Sequence, residues 1–322
     1  MNRRTCTALD LGGALALLWT LPCFAQEPTD PVPQRVEAID AARLYASACA
    51  PCHGSRGDGQ GSGAQHLSPR PRDFITGVFK FQTTPTGTPP RDEDLYRTIS
   101  RGVPGTWMPA WEALLTPAER WALVFYVKGF STLAGMDEPA SPVVVPPAPP
   151  ASSELIREGR AVYTMLQCGK CHGLRGRGDG PSAATLEDDW GARIRPYDFT
   201  RGNYRNGSTP SDLYRTFLTG VSGTPMPALE SSGVAFPGGP DVELAWLRAL
   251  LSPSERSELE AYLATQPMAA ALEQLMPPDV ERLVQRRLWA LVHYVRSLKR
   301  SRSLFYRLFR ENPDVTAGAR EP

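Results

Sequence analysis

The sequence predicts an all-α protein made of two tandem copies of one small helical domain. Three observations predict it. The string CAPCHGSRGDG, starting at Cys49, returns as CGKCHGLRGRGDG at Cys168. Other strings recur around it in the same order: RPRDF at Arg70 and RPYDF at Arg195, DLYRTISRGVPGTWMPAW at Asp94 and DLYRTFLTGVSGTPMPAL at Asp212, RWALVFYVKGF at Arg120 and LWALVHYVRSL at Leu288. Self-similarity that keeps its order marks duplication of a whole unit. The segments that open and close each copy carry apolar residues at helical spacing, and 28 glycines and 32 prolines point to extended loops rather than long sheets. The 322 residues suffice for two ordinary domains. A net charge of +1 gives no electrostatic case for nucleic acid or an acidic substrate.

Along the chain, Arg3 and Arg4 precede an uncharged, mostly apolar run from Leu11 to Phe24, and small residues up to Ala25 offer a cleavage site. That is a secretory signal pattern over residues 1–25, and it predicts a periplasmic protein. The run falls short of the roughly 20 residues a membrane span needs. Cys23 raises a lipid-anchor alternative, although Pro22 stands where a small residue is wanted. The first copy opens with VEAIDAARLYASAC, where Ile39, Ala42 and Tyr45 share a helical face, and closes with Trp121, Leu123, Val124 and Val127. Thr116-Pro117 suits the N-cap and first turn of that closing helix. A proline-rich stretch over 136–152 reads as an extended linker that sets how far the two halves can swing. The second copy opens with Leu155, Ile156, Val162 and Tyr163 and closes with Trp289, Leu291, Val292 and Val295. Small Gly159 suits a close helix crossing. Met108 lies 18 residues before Tyr126, whereas Met226 lies 68 before Tyr294, so about 50 residues are inserted near 230–280. LSPSERSELEAYLA within them predicts an extra helix. The insertion covers the second site, forms a partner surface or is a tolerated excursion. The tail, 301–322, carries basic residues interleaved with Leu304, Phe305, Leu308 and Phe309. It reads as an amphipathic helix toward a membrane or acidic partner, or as one folded back on its own domain.

Removal of the signal takes Cys6 and Cys23 and leaves four cysteines: Cys49, Cys52, Cys168 and Cys171. All lie in the two Cys-x-x-Cys-His strings, unlike the scattered cysteines of a disulfide framework. A thioredoxin-like pair needs a βαβ setting, which the flanks lack, and a shared zinc site would leave His53 and His172 without a common explanation. Covalent haem c explains both: two cysteines take the vinyl groups, and the adjacent histidine ligates the iron. Two haem c groups are therefore expected, with His53 and His172 as proximal ligands. Met108 lies 55 residues after His53, and Met226 lies 54 after His172, both in Gly-Thr-x-Met-Pro. A thioether is a soft, neutral ligand that favours ferrous iron, so Met108 and Met226 are the expected distal ligands. Met136, Met165, Met268 and Met276 have no repeat partner and read as packing residues. His66 reads as a solvated loop residue and His293 as a partly buried helix-face residue. Arg70, Arg195, Tyr96, Tyr214, Trp107 and Trp111 are candidates for haem-edge or propionate contacts.

These motifs make each half resemble a class I cytochrome c: Cys-x-x-Cys-His after a short first helix, a late Met-Pro, then a closing helix. The mature chain is similar to a diheme cytochrome c with domains over 36–135 and 153–300. The resemblance implies an all-α fold of a few helices around each covalent haem, low-spin iron and single-electron transfer. The expected partners are a redox donor and an acceptor protein, met as a free carrier or as a subunit of a respiratory or dehydrogenase membrane complex. An alternative is a diheme enzyme, such as a cytochrome c peroxidase or a thiosulfate-oxidising enzyme. A peroxidase needs an open iron position, against which the matched methionines argue.

Overall fold

The computed structural model describes residues 31–33, 36, 39–131, 139–229, 251–265 and 276–299. The signal segment 1–25, Met136, Met268, the tail 301–322 and most of the insertion lie outside the described residues.

The first copy is built from α1 (Ala41–Ala48), a single turn α2 (Ala50–His53), α3 (Asp92–Arg101) and α4 (Pro117–Lys128). The second repeats it as α5 (Ser153–Met165), the single turn α6 (Gly169–His172) and α7 (Pro210–Thr219), followed by α8 (Pro253–Thr265) and α9 (Pro277–Ser297). Each start carries a local signal. Asp40 accepts the Arg43 N–H, Ser152 the Leu155 N–H and Thr209 the Asp212 N–H, each from the N-cap position. The expected Thr116-Pro117 start is present as a capping box, in which the Thr116 N–H donates to Glu119 at 2.8 Å. Among the described residues there is no strand, only an isolated bridge between Glu187 and Arg193.

The same packing appears twice. In the first copy α4 lies against α1 and α3, and Trp121 stacks on Tyr96 at 4.4 Å. In the second, α9 lies against α5 and α7, and Trp289 meets Tyr214 at 4.5 Å. Gly159 lets α5 and α9 touch at their backbones, since a Cβ there would collide with the Ala290 carbonyl. The inserted helix α8 packs on the outer side of α5, where Leu251 and Leu259 join Ala161 and Met165 in a small satellite core. Of the other unmatched methionines, Met276 is 66% exposed at the N-cap of α9, so it is no packing residue.

The described residues from Val32 onward form one compact unit. The halves meet where the Thr86 hydroxyl donates to the Thr219 carbonyl at 2.5 Å and the Ser222 hydroxyl bonds the Gln82 amide oxygen at 3.3 Å. The proline-rich segment is not a free tether. The Val143 N–H donates to the Thr83 carbonyl at 2.7 Å, and the buried His293 Nε2–H donates to the Pro149 carbonyl at 3.0 Å. Proline lacks its own donor, so the segment is pinned by the few groups flanking its prolines. Among the described residues, no helix is long and apolar enough to cross a membrane.

Candidate haem sites

Cys49 ends α1, and the next turn, α2, closes when the His53 N–H donates to the Cys49 carbonyl at 2.8 Å. One turn therefore presents Cys49, Cys52 and His53 together. α6 does the same for Cys168, Cys171 and His172, with the His172 N–H on the Cys168 carbonyl at 2.9 Å. A tyrosine from the preceding helix locks each turn: Tyr45 Oη donates to the Gly54 carbonyl at 2.8 Å, and Tyr163 Oη to that of Gly173 at 2.7 Å.

The Arg-Pro-x-Asp-Phe strings hold the two imidazoles. The residue at x supplies a carbonyl: His53 Nδ1 lies 3.0 Å from the Arg72 oxygen, and His172 Nδ1 3.1 Å from the Tyr197 oxygen. A carbonyl only accepts, so Nδ1 carries the proton and Nε2 keeps its lone pair for a metal. The phenylalanine supplies a stacking face, Phe74 at 4.5 Å from His53 and Phe199 at 4.3 Å from His172. The aspartate closes the turn, with Asp73 accepting from the Ile75 N–H and Asp198 from the Thr200 N–H. Burial pushes both histidine pKa values below their ordinary range, which favours the neutral, ligating form.

The Gly-Thr-x-Met-Pro strings form matched loops. The Thr106 hydroxyl donates to the Val103 carbonyl and accepts from the Met108 N–H at 3.2 Å, and the Val103 N–H returns to the Met108 carbonyl at 3.0 Å. Thr224, Val221 and Met226 repeat each bond. Gly102 and Gly220, both at φ 62°, press against the backbone next to these methionines, where a Cβ has no room.

Cys49, Cys52, His53, Met108, Cys168, Cys171, His172 and Met226 all line one continuous, mostly apolar cavity of about 760 Å³. Among the described residues, seven lysines and arginines line it too, and no aspartate or glutamate. All three guanidinium nitrogens of Arg72 and the Nε of Arg205 are buried without a hydrogen-bond partner among the described residues. Burial, with Arg72 nearby, lowers Lys80 to about 8. Buried guanidinium donors without hydrogen-bond partners are costly, so the cavity suits a flat apolar group bearing carboxylates, as haem does. Burial raises the Cys49 thiol to about 11 and the Cys168 thiol to about 12, opposite to the depressed values of redox-active thiol pairs.

The proposed edge residues divide. Arg70, Arg195, Trp107 and Trp111 line the cavity, Trp107 at 74% exposure. Tyr96 and Tyr214 do not line it; they face inward on α3 and α7 and pack on the closing-helix tryptophans. His66 is an exposed loop residue, its Nε2 3.1 Å from the Gln65 amide nitrogen. Arg72, Lys80 and Arg205 were not singled out from sequence. The x position of Arg-Pro-x-Asp-Phe differs between copies, arginine against tyrosine, and that was the available signal.

Residues 37–127 match the family model described as cytochrome c oxidase, cbb3-type, subunit III, and residues 156–267 match the model described as cytochrome c. The chain belongs to the diheme c-type cytochromes. It carries two covalent haem c groups, one per domain, in a tandem all-α fold. A solved chain of the reducing HAO-like protein complex of Kuenenia stuttgartiensis is 35% identical, with a TM-score of 0.64, and the match covers 84% of this cytochrome and 99% of that chain. No curated protein matches. The cytochrome c match ends at residue 267, just past α8, yet α9 is the helix that closes the second domain as α4 closes the first.

Proposed function

We propose that this diheme cytochrome is an exported electron carrier that works as a subunit of a larger redox complex, passing single electrons between a donor and an acceptor protein. Cys49 and Cys52 hold one haem through thioethers, and Cys168 and Cys171 the other. His53 and His172 are the proximal ligands, Met108 and Met226 the distal ones. When bound, each haem supplies an iron centre that takes up and releases one electron. The protein contributes fixed imidazoles, neutral thioethers, a mostly apolar wall and cations that offset carboxylates. Export is supported by the charged start and apolar run before Ala25. Membership of a complex is supported by the likeness, over nearly its whole length, to a chain solved within one.

One observation carries the carrier reading: each copy places a histidine and a methionine on the same cavity through the same set of hydrogen bonds. Matched ligation leaves neither iron an open position for substrate. The test is to add carbon monoxide to the reduced holoprotein and to size the native haem-containing species by gel filtration. An unchanged haem spectrum and a mass well above one chain are expected. A carbon monoxide adduct on either haem contradicts the carrier reading, and a monomer contradicts the subunit reading.

A further inference from the structure

Arg72 touches both haem sites. Its carbonyl accepts the His53 Nδ1–H at 3.0 Å. Its side chain leaves the other way, and the guanidinium lies 4.0 Å from the ring centroid of Trp190 in the second domain. One guanidinium nitrogen lies 2.9 Å from where a Cβ on Gly223 would stand. Gly223 belongs to the turn that Val221 and Met226 close, and its carbonyl accepts the Asp189 N–H at 3.2 Å, which ties the Trp190 loop to the Met226 turn. Arg72 therefore runs from the histidine of one site to the methionine turn of the other.

The charge is not needed to hold His53. Tyr197, at the same position of the second copy, holds His172 through its carbonyl without a cationic side chain. Holding the histidine does not require arginine. Among the described residues, all three of its nitrogens are buried without a hydrogen-bond partner, although Asp188, Asp189 and Asp73 lie close enough to offset part of the cost of burial. Arg72 also lines the cavity shared by both sites.

We propose that Arg72 is a positioning residue that couples the two haem sites. Its backbone orients His53, while its guanidinium, seated on Trp190 against the Met226 turn, presents one positive charge to both. Reduction lowers the charge at either site by one unit, and a nearby buried cation stabilises that state. The shared charge raises both midpoint potentials. The inference rests on the two-haem assignment and not on which partner protein is served.

The test is a redox titration of R72Q and R72K holoproteins at equal haem content, each also carrying M226H to separate the second transition. M226H alone must lower only the second midpoint; if it does not, the ligand assignment fails and Arg72 is then judged from the two-transition fit without it. R72Q is expected to lower both midpoints, and R72K to leave them near those of the parent protein. A shift confined to the first haem, no shift, or R72K behaving as R72Q overturns the proposal. If R72Q fails to hold haem, W190A decides. Loss of the aromatic seat is expected to lower the second midpoint and spare the first, and an unmoved second midpoint contradicts the coupling.

Discussion

Tyr45 and Tyr163 each stand just ahead of an attachment turn and donate a buried hydroxyl to the carbonyl of the glycine that ends it. The Gly57 and Gly176 N–H groups also donate to these carbonyls, so removing one hydroxyl loses a buried hydrogen bond but strands no acceptor, at a cost of about 0.5–1.5 kcal/mol. Y45F and Y163F should each lower stability by that amount in denaturant titration, with haem content retained. Met108→His replaces a neutral soft ligand with a stronger donor to ferric iron, so it should lower the potential of the first haem and leave the second in place. An unchanged titration would remove Met108 from the coordination sphere. The cysteines, histidines and methionines that line the cavity could be picked out from sequence because they stand in strings that the duplication shows twice. Tyr96 and Tyr214 were misplaced because a repeated aromatic signals core as readily as cofactor; only the packing on Trp121 and Trp289 decides. Arg72 was hidden because its partner, Trp190, is remote in sequence and lies in a loop the first copy lacks.

The second domain is closed by α9, as its sequence predicts, and not by the inserted α8. α8 resembles α4 at its start but lacks the tryptophan that packs against a tyrosine on the preceding helix. α9 has it, and lies against α5 at Gly159. Gly159→Val should force α5 and α9 apart and cost about 1–3 kcal/mol or more, read as earlier thermal loss of the second haem's absorbance. α8 stands apart from the cavity, so Leu259→Ala, at a site 4% exposed, should cost about 2–5 kcal/mol without moving either midpoint. The linker was legible as extended and not as pinned. Its anchors, Thr83 and His293, belong to the two domains it joins, and pairings so distant in sequence leave no local pattern.

At the scale of the molecule, the two domains share a cavity as well as a boundary. The lining is mostly apolar side chains from both domains, which only an apolar group seated against them keeps from water. Haem attachment is thus part of folding, and C49A/C52A protein should lose much of its first-domain helical signal in circular dichroism. The central claim is that two closed His/Met haems serve single-electron transfer. A spectroelectrochemical titration of the purified holoprotein, followed through its haem absorbance, tests it most directly. Two one-electron transitions at positive potential are predicted; a haem that stays oxidised to strongly negative potential would contradict the methionine assignment at that site and bring the enzyme reading forward.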